Sequence, residues 1–400
     1  MKSLLTLDDA LNRVLSRAGS PPDVQSCPLL AAGGRVLAKD VTSTLDVPGA
    51  DNSAMDGYAL RAGDAGSPLP VVQRIAAGAV GAALQPGSAA RIFTGAPLPA
   101  GADAVVMQEN CSEKEGVLFV DTAVKVGENM RPRGQDIAAG AMVLSRGRRL
   151  RPQDLGLLAS VGQAEVLVYR PLRVAILSTG DELVEPGQPL HGPAQLYNSN
   201  RYTLTGLLHG LGMEVIDLGI VPDDPEATAL ALEQGAAQAD CVISSGGVSV
   251  GEEDHVKSQV EALGELTLWK LAIKPGKPLA FGAVAETPFI GLPGNPTSVF
   301  VTFCLIARPF LLKRQGVQES AAVRLTARAA FEVKRPGSRQ DYLRVSLREE
   351  QGELVAQRYS NQSSGVLSSV SHSDALAVVP AQQSVANGDW VQVIPLDSFY

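Results

Sequence analysis

The sequence predicts a multidomain α/β plus β protein with a doubly wound α/β domain at its centre, and three successive textures along the chain predict it. Residues 1 to about 171 carry Gly or Pro every few positions, as in DVPGADNSAMDGYAL, LQPGSAARIFTGAPLPAGADAVVMQEN and RPRGQDIAAGAMVLSRGRRL. Such punctuation suits one or two helices among short strands, built into small β-rich modules joined by tight turns. From about 172 to 315, apolar strand-like runs alternate with helical stretches, which implies βαβ units and a parallel sheet. From about 319 to Tyr400 the pattern becomes strict alternation, in VRLTARA, YLRVSLR and DWVQVIPL, which reads as a small antiparallel β-domain. A chain of 400 residues with 45% hydrophobic content is long enough for several cores.

The elements follow in order. Leu7, Leu11, Val14, Leu15 and Ala18 recur at helical spacing, while Asp8, Asp9, Arg13 and Arg17 interrupt any signal-peptide reading, so the chain opens with an amphipathic helix. In the central segment RVAILS is a strand, followed by a helix near 201–211, the strand EVIDLGIV, a helix near 225–238, the strand DCVISSGG and a helix near 254–263. LTLWKLAI and PFIGLPG are the next strands, and a helix starts at about Pro296. No 20 to 50 residue repeat is present.

Composition excludes several classes of function. The formal net charge is −8 and there is no long Lys/Arg run, so nucleic acid is not an expected partner. Cys27, Cys111, Cys241 and Cys304 are scattered without C-x-x-C spacing, which argues against a zinc site or a disulfide framework and fits a reducing compartment. No uninterrupted apolar run approaches the ~20 residues that span a bilayer. A cytoplasmic protein without a membrane partner is therefore expected.

In the α/β segment every predicted strand ends in a polar, Gly-rich or acidic turn. ILSTGDEL supplies Ser178, Thr179, Gly180, Asp181 and Glu182; IVPDDP supplies Asp223 and Asp224; ISSGGVSVGEED supplies Ser244, Ser245, Gly246, Gly247, Ser249 and Asp254. KLAIKPGKP adds Lys274 and Lys277, and GLPGNPTS adds Pro293, Asn295, Pro296, Thr297 and Ser298. In a parallel sheet these turns converge on the rim where α/β proteins bind ligands. Amides near helix N-termini in SGG and PGNP suit an oxyanion or phosphate, and Lys274 and Lys277 add full positive charge. Glu182, Asp223 and Asp254 suit a divalent cation bridging to the same phosphate. Singly, each turn reads as an ordinary cap; five at successive strand ends predict an anion-plus-metal site. The loop lacks the GK[ST] of a P-loop, and GxGxxG is absent after the first strand.

The N-terminal segment concentrates Asp51, Asn52, Ser53, Asp56 and Tyr58, with Thr94 in RIFTGAP and Arg131, Arg133 and Asp136 in RPRGQDI. Tight Asx turns are the simplest reading of the 51–58 stretch; Arg131 and Arg133 suit a fork for phosphate or carboxylate, and solvated surface arginines are the equally common alternative. His191, His209, His255 and His372 show no ligand spacing, and no G-x-S-x-G elbow supports Ser-His-Asp catalysis.

Taken together in this order and spacing, DNSAMDGYA, RIFTGAPLPAGADAVVMQE, RPRGQDI, LSTGDEL, GIVPDDP, ISSGGVSVGEED, WKLAIKPGKP and GLPGNP resemble the molybdopterin molybdenumtransferase family, the bacterial MoeA proteins and the E-domain of gephyrin. The resemblance runs from about residue 4 to the last strand, by texture more than motif over the last 80 residues. It implies an elongated N-terminal domain (1–49 and 136–171), an inserted small β-rich domain (50–135), an α/β molybdopterin-binding domain (172–318) and a C-terminal β-barrel (319–400). It also implies a homodimer whose cleft lies between the α/β domain of one subunit and N-terminal parts of the other. The pathway's adenylyltransferase and molybdoenzyme maturation proteins are its further implied partners.

The implied reaction takes adenylylated molybdopterin and molybdate as substrates, breaks the phosphoanhydride with Mg2+ and releases AMP. By matching motif, Asp56, Thr94, Asp136, Glu182, Asp223, Asp254, Pro293 and Pro296 fall at the family's functional positions, and Lys274 and Lys277 match its phosphate-facing pair. Glu182, Asp223 and Asp254 are expected to hold Mg2+, the Ser244–Ser249 amides and both lysines the phosphate or molybdate, and Asp56 and Thr94 to act from the partner subunit. Two departures stand out: His255 follows the third-loop acid where relatives often have an aromatic, and Asn198 stands where many carry Asp. The alternatives are the adenylyltransferase of the same pathway, which the N-terminal 171 residues and the β-tail disfavour, and a scaffolding protein of the same fold.

Overall fold

The computed structural model describes residues 4–248 and 255–400. The helix Leu7–Leu15 forms where its spacing predicts, with the Thr6 hydroxyl capping the Asp9 N–H at 3.1 Å. Its buried Ala10 and Val14 pack against the core of the α/β region, and Leu5 exchanges backbone hydrogen bonds with Lys270 and Ala272 there. The chain thus begins on the central domain and then leaves it.

The N-terminal excursion is laced by short antiparallel pairings between its outgoing and returning strands. Val24–Pro28 pairs with Glu165–Tyr169, Val41–Thr42 with Met142–Leu144, and Asn52–Ser53 with Met130–Arg131. At the far end sits a six-stranded sheet in the order Ala104–Met107, Gly57–Leu60, Ala89–Ile92, Leu69–Ile75, Val117–Val120, Cys111–Lys114. Period-two alternation sends Tyr58 and Leu60 into one small core and Ala59 into another.

The central sheet runs Glu214–Val221, Arg173–Thr179, Cys241–Ser245, Thr287–Leu292, Pro278–Val284, Gly264–Lys270. The first four strands are parallel, as the alternation of strands and helices predicts. The wholly parallel sheet is corrected at the other edge. Pro278–Val284 is antiparallel to both its neighbours, so Gly264–Lys270 again runs in the sense of the first four. Strand sense is set by these non-local pairings, and the 278–284 strand is hidden in a run of small residues after KPGKP. LTLWKLAI also divides: the strand ends at Lys270, and Ile273–Lys274 pairs in parallel with Gln340 and Asp341 of the C-terminal barrel.

Both faces of the sheet are covered. Val174, Ile176 and Ile243 face a core with Leu204, Leu208 and Phe303, whereas Ala175, Leu177 and Val242 face Leu232, Val256 and Val260. The helix from Pro296 to Arg314 contains a π-helical segment, Phe303–Ala307. By length and composition it could cross a membrane, but its apolar window is 83% buried in the core.

In the C-terminal region, strands Gln340–Glu350, Glu353–Arg358, Leu325–Ala329, Trp390–Pro395 and Ala375–Val379 pair in that order. Ala375–Val379 closes back on Gln340–Glu350 to make a five-stranded barrel. Ala327, Leu343, Val345, Ala377 and Val393 fill it. All four cysteines are free, and Cys27, Cys241 and Cys304 are buried.

Candidate functional site

The strand Cys241–Ser245 ends in a turn that only glycine fits. Gly246 and Gly247 have φ of +96° and +67°, and a Cβ on Gly247 would lie 2.4 Å from Val256 Cγ2. The turn therefore presents backbone to the rim. Ser244 and Ser245 lie within the ladder, paired on both sides, and the Gly246 N–H donates to the Leu292 carbonyl at 3.1 Å. This corrects the expectation that the whole Ser244–Ser249 run offers amides. Ser245 instead shares a buried hydroxyl contact with Ser178 at 3.0 Å. Ser249 and Asp254 lie outside the described residues, so their assigned roles do too.

Beside this turn lies a cavity of about 540 Å³ lined by Gly246, Gly247, Val248, the segment Lys274 to Pro278, Pro293, Gly294, Asn295 and Ser298. The turn after Gly264–Lys270 reaches this rim because that strand runs parallel to Thr287–Leu292. Of the residues expected to bind phosphate or molybdate, Gly246, Gly247, Lys274, Lys277, Pro293 and Asn295 meet here. Thr179, Gly180, Ser244, Ser245 and Pro296 do not line the cavity. Pro296 opens the helix behind it, with Asn295 in the N-cap position.

The barrel supplies the remaining wall with Arg339, Gln362, Ser363 and Ser364, none of which the sequence singled out. Arg339 donates to the Ile273 carbonyl at 3.0 Å. The Gln362 side chain accepts from the Arg344 N–H at 3.0 Å and donates to the carbonyls of Arg344 and Tyr359, each at 2.9 Å, fixing the loop that carries the two serines. Thr297 then ties that loop to the helix start, through its N–H to the Ser364 carbonyl and its hydroxyl to the Val366 carbonyl, both at 3.0 Å. No Asp or Glu lines the cavity among the described residues, so Lys274, Lys277 and Arg339 make it a cationic vessel floored by amides and hydroxyls.

The acids gather on the neighbouring turns. Asp181 and Asp223 face each other across the rim, each carboxylate approaching the other's backbone N–H, at 3.4 and 3.2 Å. Glu182 folds its carboxylate back against Gly180 and is exposed. Neither Glu182 nor Asp223 is held by an arginine or lysine among the described residues. No set of three or more candidate metal ligands assembles among the described residues. Glu182 and Asp223 are hard oxygen donors of the kind a divalent cation takes. Asn198 is buried at the start of the helix Ser199–Gly210, where its Oδ1 accepts from Arg201 N–H at 3.3 Å and from the Ser178 hydroxyl at 3.4 Å.

The N-terminal cluster is a separate construction. Gly57 approaches the facing strand so closely that a Cβ would sit 1.9 Å from the Val106 carbonyl oxygen, which leaves Asp56 at the strand's exposed start. Thr94 donates both N–H and hydroxyl to Asp56, and Arg91 stands near. Asp136 is exposed, with its N–H on the Val47 carbonyl. Half of the arginine fork is engaged: Arg133 is bridged to Asp46 at 2.6 Å, while the exposed Arg131 lies in the strand pair with Asn52. His372 is a packing residue, stacked on Tyr359 with its Nδ1 2.9 Å from the Ser368 carbonyl oxygen.

Fold and site together define an α/β protein whose cationic cavity is completed by a C-terminal β-barrel and which carries a long N-terminal excursion. Three family models cover that architecture: MoeA N-terminal region (domain I and II) at residues 5–162, a probable molybdopterin binding domain at 175–313, and MoeA C-terminal region (domain IV) at 326–396. A molybdopterin molybdenumtransferase of Haemophilus influenzae is 41% identical over 98% of this chain and 99% of its own. One from a Nostoc species is 39% identical over 99% and 94%. A solved molybdopterin biosynthesis MoeA protein of Pyrococcus horikoshii superposes with a TM-score of 0.85 at 29% identity, covering 98% of this chain and 100% of that one. The chain belongs to the molybdopterin molybdenumtransferase (MoeA) family.

Proposed function

We propose that this protein inserts molybdenum into adenylylated molybdopterin during molybdenum cofactor biosynthesis, taking molybdate as substrate and releasing AMP. The observation that carries this reading is the cavity of Lys274, Lys277 and Arg339, lined by no acid among the described residues, set beside the carboxylates of Glu182 and Asp223. A tetrahedral dianion such as molybdate matches convergent cations, amides and hydroxyls. A phosphoanhydride needs its charge neutralised and its leaving group stabilised, and the same cavity offers fixed donors for that.

Glu182 and Asp223, with Asp254 as the third expected ligand, would hold Mg2+, which would neutralise phosphate charge when bound. Lys277 and Arg339, with no ion-pair partner among the described residues, would bind and orient the oxyanion. Asp56, kept anionic by Thr94, would complete the cleft from a second copy of the chain, which makes a homodimer part of this proposal. The purified chain should form AMP and molybdenum cofactor from adenylylated molybdopterin when both molybdate and Mg2+ are present. Formation that persists unchanged in Glu182→Ala removes the metal assignment.

A further inference from the structure

Of the three cations around the cavity, only Lys274 is paired with an acid among the described residues. Its Nζ lies 2.8 Å from Asp341 Oδ2. The pairing is built into the backbone, since Ile273–Lys274 and the start of Gln340–Glu350 form a parallel ladder in which Lys274 and Asp341 are register partners. The Gln340 N–H on the Ala272 carbonyl at 2.8 Å and the Arg339 guanidinium on the Ile273 carbonyl at 3.0 Å fix that register. Asp341 does not line the oxyanion cavity. It lines an adjoining one of about 460 Å³, and Lys274, Arg339 and Gln362 form the shared wall.

We propose that Asp341 is a positioning residue. It holds the Lys274 ammonium on the barrel side of the shared wall and yields it when a doubly charged tetrahedral oxyanion enters the cavity. The four-carbon lysine stem lets the ammonium turn between two acceptors. The Lys274 side chain is 51% exposed, so the pair is cheap to break. Asp341 thereby lowers the affinity of the resting cavity and favours ions whose charge outcompetes a carboxylate. This inference rests on the reading of the cavity as an oxyanion site.

Two measurements on the full-length chain test it. The first compares acylation of Lys274 with that of Lys277 by an N-hydroxysuccinimide ester, using peptide mass spectrometry, with Lys277 as the internal standard. Asp341→Asn should raise the Lys274/Lys277 ratio several-fold and Asp341→Glu should restore it; an unchanged ratio overturns the proposal. The second is calorimetric titration with molybdate. Asp341→Asn should bind about 3- to 10-fold more tightly, from lost repulsion and a freed lysine at a part-exposed site. The gain should shrink markedly in a Lys274→Met background. Unchanged or weaker binding in Asp341→Asn overturns the displacement step alone. No molybdate binding in either protein, with the acylation ratio shifted as expected, overturns the oxyanion reading and the displacement step that depends on it.

Discussion

Thr94 donates its backbone N–H and its hydroxyl to one and the same oxygen of Asp56, each at 2.8 Å, and among the described residues the second oxygen has no hydrogen-bond partner. The Thr94 amide, then its hydroxyl, and then the nearby Arg91 charge hold the Asp56 carboxyl below the usual carboxylate range. Asp56 therefore presents a charged oxygen in a fixed direction at any physiological pH.

Asp56→Asn should lower AMP release about 100-fold or more if that oxygen handles a proton or stabilises charge in the reaction. Molybdate affinity should change little, because the three cations of the cavity, Lys274, Lys277 and Arg339, all come from one chain and none is Asp56's partner. Thr94→Ser keeps both donors and should stay near wild type, whereas Thr94→Val should fall between. Steady-state kinetics alongside molybdate titration separate these outcomes.

Arg339→Ala removes a charged donor from the barrel side of the cavity. Loss of hydrogen bonds to an ion costs roughly 1.5–3 kcal/mol, so molybdate binding should weaken about 10- to 100-fold. Secondary structure by circular dichroism should be unchanged, and binding should become less sensitive to salt.

Gly247→Ala places a Cβ at φ +67° and 2.4 Å from Val256. Strain and overpacking each cost about 1–3 kcal/mol, so urea denaturation should show a loss of roughly that size or more. Gly352→Ala, with φ +81° and nothing within 4 Å of its Cβ, should lose only the backbone-strain part.

Asp154 stabilises the N-terminal excursion in a pH-dependent way. Its side chain is 4% exposed and bridges Arg148 at 2.9 Å and Arg151 at 3.2 Å. Burial pushes its pKa up, but hydrogen bonds from Arg148 and Arg151 outweigh that and bring it down to about 2 from an ordinary 3.8. The folded value lies below the unfolded one, so its stabilisation is full above about pH 4 and is lost as pH falls toward 2. The amount is about 2 kcal/mol. Chemical denaturation across that window should show the loss in wild type and not in Asp154→Asn.

The rim was legible in the sequence because its signals are local. SGG needs left-handed backbone, PGNP starts a helix, and the strands before them alternate toward two covered faces. Three features were not legible because they depend on distant pairings. The sense of Pro278–Val284 follows from its neighbours in the sheet. The division of LTLWKLAI follows from the barrel capturing Ile273 and Lys274. Arg339, Gln362, Ser363 and Ser364 reach the cavity only because the barrel docks on the helix start through Thr297. An Arg in SRQDY or a Ser in NQSSG carries no mark of that contact in its own segment.

A single-turnover experiment with adenylylated molybdopterin, following AMP and protein-bound molybdenum together, tests molybdenum insertion most directly. With molybdate and Mg2+ present, one AMP should appear for each molybdenum incorporated, and omission of molybdate should slow AMP release strongly. AMP released at the same rate without molybdate, or molybdenum bound without AMP release, would contradict the proposed coupling.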